Sequence, residues 1–174
     1  MQIPPITPRK SLKMPENRTS ERIGALLRGS GRTLSAAESC TGGMISHLLT
    51  LVPGASEYYL GSVTSYAISV KEKLLGVSPA VIIENGVVSS EVAAAMAEGV
   101  RSSLGSDFSV ATTGLAGPGG DARYPEGTVW IGVSGALGTR TVLVQKDLGR
   151  EGNIEAFARA ALEYLAAYIE ETLK

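Results

Sequence analysis

Leu34-Ser35-Ala36-Ala37-Glu38-Ser39-Cys40-Thr41-Gly42-Gly43-Met44-Ile45-Ser46-His47-Leu48 reads as a strand, a tight turn and the start of a helix. Small residues as far as Ala37 suit a buried strand. Met44, Ile45, Leu48 and Leu49 then fall at helical spacing. The turn from Glu38 to Gly43 places a serine hydroxyl beside backbone N–H groups that a first helical turn leaves unpaired, at the positive end of the helix dipole. Donors of that kind hold a phosphate or an oxyanion. Ser39 is therefore either a nucleophile or a plain helix cap, and the rest of the chain has to decide between them.

A chain of 174 residues is long enough for one domain with a buried sheet and helices on its faces. Sixteen basic and 17 acidic residues leave a net charge of −1, so no basic surplus points to nucleic acid. One cysteine, Cys40, excludes an internal disulfide framework and cannot alone build a thiolate metal site. One histidine, His47, makes any Ser-His pair depend on a single residue. No apolar run approaches the length of a membrane span. Residues 1–17 carry Pro4, Pro5, Pro8 and Pro15 among Arg9, Lys10 and Lys13, without the apolar core of a secretory signal. They are expected to form a flexible arm ahead of a single domain over residues 18–174, in a cytoplasmic protein.

Outward from the central stretch, Ser20 caps a helix through Ile23, Leu26 and Leu27 that ends near Gly29 and Gly31. The first strand spans Arg32 to Ala37, and the helix after the turn stops near Pro53-Gly54. Tyr58 to Tyr66 reads as a second strand, Ser69 to Leu75 as a short helix closed by Gly76, and Pro79 to Glu84 as another turn. A stronger helix begins at Ser89 or Ser90, with Val92, Met96, Val100 and Leu104 on one face and Gly105 as its stop. Phe108 to Thr113 is a third strand, entering the glycine-rich loop Gly114 to Asp121. Thr128 to Val133 and Thr139 to Val144 are joined by so short a connection that they must form an antiparallel hairpin. A final helix turns Ile154, Phe157, Ala161, Leu165 and Tyr168 inward. The order of elements implies an α/β fold, a three-layer α/β/α domain with a mixed, mostly parallel sheet of about five strands. If the first and third strands are parallel neighbours, the Glu38–Gly43 turn and the Gly114–Gly120 loop open on the same edge, where ligands collect in such sheets.

A serine nucleophile needs a partner to take its proton. His47 lies about 12 Å of helix rise beyond Ser39, a poor position. Glu38 is a neighbouring carboxylate. Lys71, just past the second strand, reaches the turn if that strand pairs with the first, and Tyr66 can then relay or orient the proton. A lysine serves as base only when uncharged, which requires its pKa to fall from ~10.4 toward 7–8 by desolvation. The alternative for Lys71 is a solvated surface lysine.

Ala37-Glu38-Ser39-Cys40-Thr41-Gly42-Gly43, the Tyr66 and Lys71 pair, Leu74-Leu75-Gly76-Val77, Gly86-Val87-Val88-Ser89, Thr113 through Gly120 and Pro125-Glu126-Gly127-Thr128-Val129 occur in this order. Together they resemble the CinA C-terminal domain family, which includes nicotinamide-nucleotide amidases, and the resemblance covers about Ser20 to the C-terminus. It implies an amidohydrolase that converts nicotinamide mononucleotide to nicotinate mononucleotide and ammonia without a metal or other cofactor, in the stand-alone form of the domain. It places Ser39 at the nucleophile position, Lys71 at the general base and Tyr66 at the assisting tyrosine. Backbone N–H groups of Cys40, Thr41, Gly42 and Gly43 would hold the oxyanion. Glu38, Thr113, Gly114, Gly117, Gly119 and Arg150 would contact substrate. The resemblance also implies a small-molecule nucleotide substrate and a homo-oligomer, while charge and motif give no support to nucleic acid as a partner and no apolar run supports a membrane. Two stretches depart from the family pattern. Ala67-Ile68 replaces a polar pair, so that Ile68 lacks the expected hydrogen-bonding side chain, and Glu126 stands where a small apolar residue is common. Cys40 is adjacent to Ser39 but is expected to point away from the site and pack.

Overall fold

The computed structural model describes residues 17–174, so the expected arm lies outside the described residues apart from Asn17. Asn17 ties the domain's start to its centre by donating from Nδ2 to the Leu48 carbonyl at 2.6 Å. Five strands, β1 (Leu34–Glu38), β2 (Tyr59–Thr64), β3 (Phe108–Leu115), β4 (Thr128–Gly135) and β5 (Gly138–Gln145), form one sheet in the order β2-β1-β3-β4-β5. β1 pairs in parallel with both β2 and β3, whereas β3–β4 and β4–β5 are antiparallel. Four strands therefore share one direction and β4 alone opposes them. The sheet is mixed and mostly parallel, as the sequence implied.

Every residue of β1 is buried, because helices cover both faces of the sheet at its centre. Six helices do this: α1 (Arg18–Leu27), α2 (Met44–Thr50), α3 (Ile68–Leu75), α4 (Pro79–Asn85), α5 (Ser90–Leu104) and α6 (Gly149–Thr172). Leu34 and Ala36 of β1, with Phe108 and Val110 of β3, pack on Ile23, Ile45, Leu48, Phe157 and Leu165 from α1, α2 and α6. Ala37 and Ala111 turn to the opposite face and meet Leu75, Ile82, Val92, Met96 and Val100 from α3, α4 and α5. The alternation is the two-residue period of a strand. The second face is lined by small residues because α5 lies almost on the backbone. A Cβ at Gly132 would come within 2.4 Å of the Ala93 carbonyl, and one at Gly99 within 2.0 Å of the Leu75 carbonyl.

Several boundaries differ from those read in the sequence. β2 stops at Thr64, since Ser65 and Tyr66 leave the ladder to begin the descent into α3. Tyr58 closes a 3-10 turn over Ala55–Glu57 and is fully buried. The segment from Pro79 is a helix rather than a turn. β3 runs two residues past Thr113, because Gly114 and Leu115 remain paired with Val129 and Thr128. The glycine-rich loop accordingly starts at Ala116. In the last helix Phe157, Ala161, Leu165 and Tyr168 are buried and Ile154 packs partly against them. Tyr168 also braces the β4–β5 hairpin, its hydroxyl donating to the Gly138 carbonyl at 2.6 Å and accepting from the Leu137 N–H at 3.0 Å.

Glu38, the last residue of β1, pairs with Thr64 of β2 and Thr112 of β3. β1 and β2 thus end together while β3 continues to Leu115, and the segments following all three meet above one edge of the sheet. That edge carries the site.

Candidate active site

The turn after β1 is best understood by following its main-chain donors. Ser39 N–H donates to the Thr112 carbonyl at 3.1 Å, Gly42 N–H to the Ser39 carbonyl at 3.1 Å and Met44 N–H to the Thr41 carbonyl at 3.0 Å. The N–H groups of Gly43, Ile45 and Ser46 all go to the Glu38 carboxylate, at 2.9, 3.0 and 2.9 Å. The hydroxyls of Thr41 and Ser46 add bonds of 2.8 and 2.7 Å to the same group. Of the N–H groups in this turn, those of Cys40 and Thr41 donate to no other described residue.

This corrects two expectations. Glu38 is fully buried and turned away from the cavity, where it acts as the cap of α2 rather than as a substrate contact or a base. Gly42 and Gly43 have their N–H groups engaged inside the turn, so they are not free to hold an oxyanion. Both glycines sit at positive φ, 59° and 106°, which is why the turn requires them.

Lys71 lies on α3, a helix that begins immediately after the β2 exit, and its side chain runs beneath the turn. Its Nζ is 3.0 Å from Ser39 Oγ and 2.5 Å from the Ser65 carbonyl, with the Tyr66 carbonyl at 3.5 Å. The residue is 1% exposed. Removal from water lowers the Lys71 pKa from its ordinary value, since burial disfavours the ammonium form. The Cys40 thiol is pushed the other way, up to about 12, also by burial, and it stays uncharged beside the amine. Packing of Cys40 is confirmed, but its residue still contributes to the cavity wall.

A cavity of about 290 Å³ opens above this pair. Ser39 and Cys40 form one side, Tyr66 and Arg150 stand at its rim, and Val87, Val88 and the segment Gly114 to Gly119 complete it. Gly114, Gly117 and Gly119 therefore line the space. Gly114 is small for a packing reason, since a Cβ there would lie 2.4 Å from the Thr128 carbonyl. Thr113 does not line the cavity. It is fully buried, and its hydroxyl donates to the Val87 carbonyl at 2.8 Å, holding the Val87–Val88 wall in place.

Arg150, at the start of α6, spans the mouth. Its Nη1 donates to the Gly117 carbonyl at 2.5 Å and its Nη2 to the Tyr66 hydroxyl at 3.1 Å. The Tyr66 hydroxyl, expected to relay or orient the proton, meets Arg150 in this arrangement. The ring is 64% exposed, and its hydroxyl is engaged by Arg150 rather than by Ser39 or Lys71. Glu126 anchors the glycine loop by accepting from Gly119 N–H at 2.6 Å. Ile68 is half exposed on the first turn of α3 and does not line the cavity, and His47 is exposed on α2.

Three supporting residues escaped the sequence reading. Thr112 bonds Thr41 through their hydroxyls at 2.9 Å and fixes the nucleophile turn to β3. Ser65 acts through its carbonyl, which no side-chain pattern reveals. Asn153 is fully buried on α6, donating to the Ala116 carbonyl at 3.0 Å and accepting from Leu148 N–H at 3.1 Å. An asparagine one turn before Phe157 on the inward face was the available signal for it. Among the described residues, no group of three or more His, Cys, Asp or Glu side chains could hold a metal ion, and no helix is long and apolar enough to cross a membrane.

Residues 16–169 match the family model described as CinA C-terminal domain. A CinA-like protein of Salinibacter ruber is 51% identical over 142 residues, which are 81% of this chain and 34% of that protein. A CinA-like protein of Gloeobacter violaceus is 44% identical over 153 residues, 86% of this chain and 36% of its own length. The chain thus spans about a third of the length of these relatives. Among solved structures, the competence/damage inducible protein CihA from Agrobacterium tumefaciens superposes with a TM-score of 0.83 at 34% identity, over 91% of this chain and 98% of that one. A competence or damage-inducible protein from Enterobacter asburiae gives 0.84 at 28% identity, over 88% and 97%.

Proposed function

This chain belongs to the CinA C-terminal domain family, and on that premise we propose that it is a serine amidohydrolase that deamidates nicotinamide mononucleotide. One observation carries the reading: a buried lysine amine 3.0 Å from a serine hydroxyl that opens onto a cavity. Burial makes a charged ammonium less stable there than in water, which lowers the Lys71 pKa and lets its amine serve as a base.

The chemistry follows from the geometry. Neutral Lys71 takes the Ser39 proton as Oγ attacks the carboxamide carbon. The tetrahedral oxyanion is held by the unengaged N–H groups of Cys40 and Thr41. Lys71 returns the proton to the amide nitrogen, ammonia leaves, and Ser39 carries the acyl group as an ester. Water, deprotonated by the same amine, attacks the ester, releasing the carboxylate and restoring the serine. Arg150 is the charged side chain in the cavity wall, and it offers N–H donors to a phosphate at the mouth.

Ammonia release from nicotinamide mononucleotide, run beside nicotinamide, nicotinamide riboside, glutamine and asparagine, tests the reading. Turnover is expected with the mononucleotide and is expected to vanish in Ser39→Ala. Turnover of another amide alone would overturn the substrate, and an active Ser39→Ala would overturn the mechanism.

A further inference from the structure

Glu38 is connected to both members of the Ser39–Lys71 pair. Its carboxylate accepts five hydrogen bonds from the turn that carries Ser39 and from the start of α2. Its main-chain carbonyl accepts from Ser65 N–H at 2.8 Å, and the Ser65 carbonyl in turn holds Lys71 Nζ at 2.5 Å. Ser39 is the next residue in the chain. The connections close a ring running from Glu38 through Ser65 and Lys71 to Ser39 and back.

We propose that Glu38 is a positioning residue for the nucleophile, and this rests on the amidohydrolase reading above. The carboxylate folds the turn around itself, so that the N–H groups of Gly43, Ile45 and Ser46 point inward to it. Those of Cys40 and Thr41 are left unengaged, next to the hydroxyl that attacks. A glutamate is required because both oxygens accept and neither donates. In Glu38→Gln, an NH2 group replaces one acceptor and faces main-chain or hydroxyl donors, whichever way the amide turns. The polar cluster continues outward through Ser46 Oγ, which also meets Tyr59 Oη at 2.8 Å and Ser62 Oγ at 2.7 Å. Ser46 is therefore a place to weaken the carboxylate's support without removing it.

The test is the rate at which a fluorophosphonate labels Ser39, followed by intact mass, alongside kcat and KM for nicotinamide mononucleotide. Glu38→Gln is expected to label about 100-fold more slowly, with kcat falling in step and KM nearly unchanged, because the loss lies in alignment and not in binding. Glu38→Asp is expected to recover part of the rate. Ser46→Ala, the milder variant because it leaves the carboxylate and its three main-chain donors in place, is expected to slow labelling several-fold. Labelling within threefold of the parent in folded Glu38→Gln, or in Ser46→Ala where Glu38→Gln does not fold, would overturn the proposal. A parent protein that labels at Ser39 but releases no ammonia would reject the substrate reading and leave the Glu38 comparison intact.

Discussion

Lys71 Nζ lies 3.0 Å from Ser39 Oγ although 32 residues separate them, and both side chains sit in a region from which water is largely excluded. The pairing of β1 with β2 makes this possible. It brings the β2 exit beside the β1 turn, and α3 then carries the lysine back underneath. Lys71→Arg introduces a cation that cannot give up its proton at any working pH. It is expected to lower kcat by about 10³-fold or more, as is Lys71→Met. Lys71→Met also removes a buried amine, so its melting temperature is expected to stay within a few degrees of the parent, measured by calorimetry.

The lowered pKa of Lys71 fixes the sign of two pH effects. Activity is expected to rise with pH through the lysine's native pKa, since only the uncharged amine accepts the Ser39 proton, and then to level off. Stability should change in the same direction. Between the lowered native pKa and the ordinary value of ~10.4, the unfolded chain binds a proton that the folded chain lacks, so raising the pH stabilises the fold. Below the native pKa that contribution is lost. Denaturant melts across pH are expected to show this slope in the parent and a shallower one in Lys71→Met.

A thiol held up to about 12 by burial does not supply a thiolate near neutrality. Cys40→Ala is expected to retain kcat within about threefold, and iodoacetamide is expected to leave the parent active. Loss of activity on alkylation at Cys40 with Ser39→Ala still active would identify the cysteine as the nucleophile.

The sequence was informative about elements and about the charged and hydroxyl-bearing residues. It was silent on main-chain partners. Strand and helix order and the late hairpin were legible because apolar spacing and short connections constrain them, whereas the parallel β1–β3 pairing stood only as a condition. Ser39 and Lys71 were recognisable as candidates, but their contact depended on β1 and β2 being neighbours. Glu38 was misplaced because a carboxylate beside a nucleophile looks the same in sequence whether it faces substrate or caps a helix. The role of Tyr66 stayed open for a related reason. Its position beside the pair was legible, whereas the direction of its hydroxyl was set by Arg150, 84 residues away.

That direction is testable. Tyr66→Phe removes the hydroxyl that accepts from Arg150 and leaves the ring in place. It is expected to change kcat by less than about fivefold, whereas a proton relay would cost 10²-fold or more. Arg150→Ala is expected to raise KM for the mononucleotide about tenfold and to affect an unphosphorylated amide much less, by steady-state kinetics.

Asn153 joins the start of α6 to the glycine-rich loop through two buried hydrogen bonds. Asn153→Ala leaves the Ala116 carbonyl and the Leu148 N–H without those partners. It is expected to cost about 2 kcal/mol in denaturant unfolding and to raise KM through a loosened loop.

Ser39 is expected to become covalently acylated, with Lys71 as its base. That acylation is tested most directly by mixing the parent with nicotinamide mononucleotide, quenching in acid within the first turnovers and mapping peptides by mass. The account requires the nicotinoyl mononucleotide ester on Ser39 in the parent, and none in Ser39→Ala or Lys71→Ala, both without ammonia release. Ammonia released at the parental rate by either variant, with Ser39 unmodified throughout, would contradict it.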